Sequence, residues 1–193
     1  IGQVDPAYME LIKKVSDIVS KISGNKLGEK QLYMIETRIK KRMSDLGMNG
    51  PSAYSAYIDT HQKEEATVLV GLITTHHTYF FREFIHFEIL KNSLPQLVAE
   101  AKKRPDRTIK IWSAACSKGH EVYSLAMFLN QCLFELKEDI KFKILGSDID
   151  VESVKIAQNG VYHQNEVKEI PMIFLNDNWA YGTGDIANFA KIK

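Results

Sequence analysis

Two cysteines, Cys116 and Cys132, are too few for a disulfide framework, so a reducing compartment such as the cytoplasm is the expected home. An excess of charge of one sign is also missing. The 25 basic residues against 24 acidic ones leave a formal charge of +1. A general nucleic-acid binder is usually strongly basic, so that class is set aside. No long apolar run occurs: the most apolar stretch, Ala66 to Ile73, is far too short to span a bilayer. The opening residues, IGQVDPAYMELIKK, lack the basic start and apolar run of a signal peptide. These absences predict a soluble cytoplasmic protein that neither enters a membrane nor binds nucleic acid. A chain of 193 residues is long enough to bury a real core and to hold two domains.

Glycine is scarce where a nucleotide-binding turn would need it. The stretch Ile109 to Leu129 opens with a short apolar run, Ile109 to Trp112, and passes through Ser113, Ala114, Ala115, Cys116 and Ser117 to Gly119. It continues as a helical pattern through Tyr123, Leu125, Ala126 and Leu129. That is strand, tight turn, helix. A second strand, Phe142 to Gly146, follows and ends in Ser147-Asp148-Ile149-Asp150. An acid at the end of the second strand of a β-α-β unit is where nucleotide-binding folds hold ribose hydroxyls. The turn is neither a G-x-G-x-x-G dinucleotide loop nor a phosphate loop with Gly-Lys-Ser or Gly-Lys-Thr. With Glu121 entering the helix, it suits a ligand without a pyrophosphate, and adenosyl sulfonium compounds fit that description. A plain β-α-β core unit without a ligand fits the same stretch.

The first 75 residues read as a small helical domain. Met9, Leu11, Ile12, Val15, Ile18, Val19 and Ile22 keep helical spacing until Gly24-Asn25. A second helix, from about Glu29 to Leu46, presents Leu32, Ile35, Ile39, Met43 and Leu46, and Gly47 is its stop. Pro51 starts a third helix, and a fourth runs from about Glu64 to Thr74. On the second helix, Arg38, Lys41 and Arg42 fall side by side on one flank of the apolar stripe. Such a flank is either a solvated face or a docking face for an acidic helical partner.

Between the helices and the strand unit lies TTHHTYFFRE, residues 74–83. His76 and His77 point about 100° apart on a helix, and no third ligand sits at a recognisable spacing, so no metal site is expected. Phe80 and Phe81 are expected in the core, with Arg82 at the surface or at the mouth of a site. Phe84 to Leu90 reads as a helix, and Ser93 with Pro95 as the cap and first turn of another, ending at Lys102-Lys103-Arg104.

Four stretches together resemble the chemotaxis receptor methyltransferases of the CheR type: RIKKRMSDLG (38–47), TTHHTYFFRE (74–83), IWSAACSKGHEVYSLAM (111–127) and GSDIDVESVKIAQNGVYH (146–163), with WAYGTG (179–184) adding weakly. The resemblance covers nearly the whole chain. It implies an N-terminal all-α helical domain followed by an α/β S-adenosylmethionine-dependent methyltransferase domain of Rossmann-like form, C-terminally incomplete in this chain. The boundaries are then 1–75 for a helical substrate-docking domain, 76–107 for a linker with connecting helices, and 108–193 for the first part of the methyltransferase domain. DIANFAKIK looks like the domain's next strand. The family's further strands, its Asn-Leu and Arg-Asn segments and its small β-subdomain, used by some members to bind receptor tails, are expected past Lys193.

The resemblance also assigns residues. Glu121 should take the methionyl amino group of the cofactor, Asp148 the ribose hydroxyls, and Thr78 a polar contact near the methionine moiety. Arg82 should face the methionyl carboxylate or the incoming glutamate, which makes it the one candidate catalytic residue. His76 stands where the family has an asparagine, and His120 where it has the first of two glutamates. The implied reaction transfers a methyl group from S-adenosylmethionine to glutamate side chains in the cytoplasmic helical region of chemotaxis receptors. It leaves S-adenosylhomocysteine and needs no general base, because a carboxylate is already ionised at neutral pH. Arg38, Lys41 and Arg42 become the receptor-docking residues, and the protein is expected to be a monomer. A methyltransferase-like cofactor-binding regulatory module with weak or no activity, and a methyltransferase for another acceptor, are the alternatives.

Overall fold

Apolar residues three and four apart must share a helix face, and four helices in the first part of the chain bury theirs against one another. They are α1 (Pro6–Ser23), α2 (Leu32–Asp45), α3 (Pro51–Thr60) and α4 (Gln62–Ile73). The computed structural model describes residues 6–28, 31–74, 77–175 and 178–193. Contacts divide the chain into two units, one comprising residues 1–75 with 149–151, the other 76–148 with 152–193. Each has its own core.

The core of the helical unit takes Leu11, Ile12, Val15 and Val19 from α1, then Ile35, Ile39 and Met43 from α2. Tyr54 and Ile58 come from α3, and Leu69, Val70 and Ile73 from α4. Burial of each such side chain contributes roughly 1.5–3 kcal/mol. Met9 and Ile22, expected on the same stripe, lie at its margins and stay exposed.

The second unit starts with α5 (Ile85–Lys102), a single helix in place of the two expected. Pro95 lies inside it. Its missing N–H and its ring cost a helix interior about 3 kcal/mol, but Phe87, Leu94, Val98 and Ala101 form one buried stripe that crosses the proline. Ser93 does not cap a new helix; its hydroxyl donates to the carbonyl of Ile89 one turn back, at 3.0 Å. Burial of one continuous face outweighs the local break signal. The segment read as a linker with connecting helices therefore belongs to the core of this unit, beside β1 and α6.

Strand β1 (Thr108–Ala114) leads through the turn into α6 (His120–Glu135) and then β2 (Lys141–Ser147). β1 and β2 pair in parallel, with Thr108 opposite Lys141 and Ala114 opposite Ser147. This is the β-α-β unit expected from the period switch. Ile109 and Ser113 face inward and are buried, while the paired Trp112 and Leu145 on the other face are 67% and 64% exposed. Helices α7 (Val151–Asn159), α8 (Gln164–Val167) and α9 (Met172–Leu175) follow, with the short strands β3 (Val161–His163), β4 (Trp179–Tyr181) and β5 (Phe189–Ile192).

DIANFAKIK does supply a strand, β5, but β5 does not continue the parallel sheet. It runs antiparallel to both β3 and β4 and forms the middle of a separate three-stranded sheet. A small antiparallel sheet thus lies inside the chain, ahead of the place where sequence reasoning put a β-subdomain. Gly160 lets it close up: a Cβ there would stand 2.5 Å from Ile192 Cγ2.

Candidate cofactor site

The turn between β1 and α6 is held in an uncommon shape. Ala115 and Ser117 have φ of 59° and 49°, and Gly119, the residue before α6, has φ of 86°. Non-glycine residues in that region cost about 1–3 kcal/mol each and persist only when surroundings impose them. Here the surroundings are β2 and β3. The Cys116 N–H donates to the Ser147 carbonyl at 2.9 Å, and the Ser117 N–H donates to Asp148 Oδ2 at 2.7 Å. From β3, the buried Tyr162 hydroxyl donates to the Lys118 carbonyl at 2.6 Å. Gly146 permits the approach, since a Cβ there would meet Cys116 Sγ at 3.1 Å and Val122 at 2.9 Å.

Two acids converge on this turn. Asp148, half-buried at the end of β2, is tied to it through Ser117. Glu121, exposed on the first turn of α6, accepts from the hydroxyl of Ser113, which is buried at the end of β1, at 2.6 Å. Both carboxylates thus sit at the carboxyl ends of parallel strands, where ligands bind in open α/β sheets.

The segment 77–84 packs on the same helix. Phe80 is buried against His120 and Tyr162, with ring centroids 4.6 and 5.0 Å apart, and against Trp179 at 5.5 Å. Phe81 stacks on Phe174 at 4.6 Å. It takes φ of 55°, and its N–H donates to Ser124 Oγ of α6 at 2.9 Å. Ser124 in turn donates to the His120 carbonyl at 2.7 Å. Both phenylalanines are core, as expected. Thr78 is half-buried. Arg82 is exposed, and its guanidinium donates to the His77 carbonyl within the segment at 2.7 Å. Among the described residues no hydrogen bond joins Arg82 to Glu121 or Asp148. His76 lies outside the described residues.

His120 is not at the surface. It is 1% exposed, and its Nε2 lies 3.0 Å from Glu166 Oε1 on α8. Burial pushes its imidazole below the ordinary value, and Glu166 only partly offsets that. Neither Ser124 nor the His120–Glu166 pair was legible in the sequence: a serine in a helical pattern and an acid 46 positions away carry no local signal.

In the helical unit the three basic residues of α2 are not equivalent. Arg42 forms a two-pronged ion pair with the buried Glu65, its Nε at 2.9 Å and its Nη2 at 2.7 Å. The Tyr54 hydroxyl donates to the same carboxylate. Arg38 donates to the carbonyls of Leu72 and Thr74 at the end of α4. Lys41 is exposed. Two of the three therefore hold the unit together, whatever else they touch.

Among the described residues no cluster of three histidine, cysteine or acidic side chains is arranged to hold a metal, and no helix is long and apolar enough to cross a membrane. Residues 76–191 match the CheR methyltransferase SAM binding domain, and residues 10–74 match the CheR methyltransferase all-alpha domain. The chain belongs to the CheR methyltransferase family. A chemotaxis protein methyltransferase of Borreliella burgdorferi is 33% identical over 165 residues, covering 83% of this chain and 57% of that relative. Chemotaxis protein methyltransferase 2 of Pseudomonas aeruginosa is 30% identical over 183 residues, covering 95% of this chain and 62% of the relative. The Escherichia coli chemotaxis protein methyltransferase is 28% identical over 182 residues, covering 94% and 60%. The chain thus spans about three-fifths of the length of these relatives.

The cofactor of this family domain is S-adenosylmethionine, and the turn fits it. The two carboxylates suit an ammonium and a pair of hydroxyls. No row of glycines opens the turn for a pyrophosphate. The hydroxyl of Ser117, within the strained turn, is buried without a hydrogen-bond partner among the described residues.

Proposed function

We propose that this chain is the helical domain and cofactor-binding part of a cytoplasmic methyltransferase that esterifies glutamate side chains of chemotaxis receptors. The observation that carries the reading is the anchoring of Glu121 to the end of β1 through Ser113, and of Asp148 to the strained turn that follows through the Ser117 N–H. When bound, S-adenosylmethionine supplies a methyl group on a sulfonium sulfur. Glu121 takes the methionyl ammonium and Asp148 the ribose hydroxyls. Thr78 makes a polar contact near the methionine moiety, and His76, which lies outside the described residues, stands in the sequence where the family has an asparagine. Arg82 presents its fork to a carboxylate, that of the methionyl group or of the substrate. The chain's work would be to align an accepting carboxylate with the sulfonium methyl group and to exclude water; the carboxylate is already ionised at neutral pH, so no general base is needed.

Titration calorimetry with S-adenosylhomocysteine tests the site. Asp148→Ala removes charge-assisted hydrogen bonds worth roughly 1.5–3 kcal/mol each and is expected to weaken binding at least tenfold. Unchanged affinity in a folded variant overturns the assignment.

The helical domain is proposed to dock the receptor's acidic helical region through the flank formed by Arg38, Lys41 and Arg42. Reversing Arg42 would strand Glu65, so the clean probe is Lys41. Lys41→Glu is expected to lower receptor methylation several-fold at low salt, with the difference fading at high salt. A loss that is the same at both salt concentrations, or no loss at all, means that Lys41 belongs to a solvated face.

A further inference from the structure

Ser113 has so far been named only as the partner of Glu121, with no role toward the ligand, yet its placement is specific. It sits at the carboxyl end of β1, on the same face as Ile109 and Ile111, and is 2% exposed. Its hydroxyl donates to Glu121 Oε1 at 2.6 Å, which is short, as expected for a hydroxyl on an ionised carboxylate. Glu121 itself is exposed, on the first turn of α6. An exposed glutamate at a helix end ordinarily samples several rotamers, and fixing one of them on binding weakens affinity. A donor fixed in the strand removes that freedom before any ligand arrives. Among the described residues Ser113 is the only hydrogen-bond partner of the Glu121 side chain. One carboxylate oxygen is thereby held and the other remains an acceptor.

We infer that Ser113 is a positioning residue that orients the Glu121 carboxylate for the ammonium of an amino-acid-bearing adenosyl ligand. The chain would thereby discriminate such ligands from adenosyl thioethers that lack the amino-acid head. The inference rests on the assignment of Glu121 above. It makes Ser113 a determinant of ligand specificity, since a group acting only through Glu121 has nothing to offer a ligand without an ammonium.

The experiment compares two probes by calorimetry, S-adenosylhomocysteine and 5′-methylthioadenosine. The second keeps the adenosyl group and the sulfur and lacks the amino-acid head. Ser113→Ala is expected to weaken S-adenosylhomocysteine about tenfold, the scale of one hydrogen bond to a charged group, and to leave 5′-methylthioadenosine unchanged. Ser113→Thr, which keeps the hydroxyl and favours a strand, should restore most of the loss. In a Glu121→Gln background Ser113→Ala should add little, because the two act as one unit. Equal losses for both probes would reduce Ser113 to a support of the strand, and no loss for either would remove it from the site. If Glu121→Gln leaves S-adenosylhomocysteine affinity intact, the assignment of Glu121 fails and this inference falls with it. If Glu121→Gln weakens it and Ser113→Ala does not, only the role of Ser113 is overturned.

Discussion

A buried carboxylate destabilises a helical unit unless it is held from more than one side, and Glu65 is held from two. Arg42 grips it in a fork and Tyr54 donates a hydroxyl. Burial alone would push the Glu65 carboxyl up, but these hydrogen bonds outweigh it and keep it below the ordinary carboxylate value. The same environment drives the Tyr54 hydroxyl well above its ordinary value. Removing one partner from such a pair leaves a buried charge uncompensated. Arg42→Ala is therefore expected to destabilise the helical unit by about 3 kcal/mol, the lower end for a broken buried pair because Arg42 is 23% exposed. Urea unfolding followed by helical circular dichroism measures it, and a change below about 1 kcal/mol would place the pair among surface ion pairs. Helical spacing had put Arg42 beside Arg38 and Lys41 correctly. What spacing could not supply was the partner, because Glu65 reaches it from another helix 23 positions on.

At the scale of elements, α6 is the hub of the second unit. Its N-terminal residues touch β1 through the Ser113–Glu121 bond and the segment 77–84 through Ser124, while His120 joins it to α8. Glu166 also accepts from the His163 N–H at the start of α8, so the His120 contact reaches that cap. A neutral, buried His120 has a pH consequence. Its folded value lies below the ordinary 6.5, so the unfolded chain takes up a proton that the native chain refuses. Stability from this group is full above about 6.5 and falls as pH drops through the folded value. Glu65 acts in the same direction but only below the ordinary carboxylate value of 4.5. Melting temperatures between pH 7.5 and 5 are expected to fall for the parent and to flatten for His120→Gln. A parent that gains stability on acidification would show that Glu166 governs the pair. The strand–turn–helix of β1 and α6 was legible because the hydrophobic period changes within a few residues. Helix α5 was misread at Pro95 because a local break signal competes with burial across the whole element. The sheet membership of β5 was misread because pairing direction is set by residues far apart in sequence.

At the scale of the molecule, the two acids of the site come from elements of one unit, while the basic flank of α2 belongs to the other. Two separate cores give two targets for perturbation. Gly119→Ala addresses the second. Its backbone has φ of 86°, and an added Cβ would stand 2.7 Å from the Ala157 Cβ and 3.0 Å from the Tyr162 hydroxyl. A left-handed non-glycine residue costs about 1–3 kcal/mol and overpacking adds about 1–3 more, so a loss of about 2–6 kcal/mol is expected from Gly119→Ala. Arg42→Ala addresses the first. Variants without shared partners add within roughly 0.3–0.5 kcal/mol. Scanning calorimetry of the parent, the two single variants and the double variant should therefore show each substitution lowering the transition of its own unit. The double variant should match the sum of the singles. S-adenosylhomocysteine should raise only the transition that Gly119→Ala lowers, because the carboxylates proposed to bind it lie in that unit. A ligand that instead raised the transition lowered by Arg42→Ala would move the cofactor site out of the β1–α6 turn.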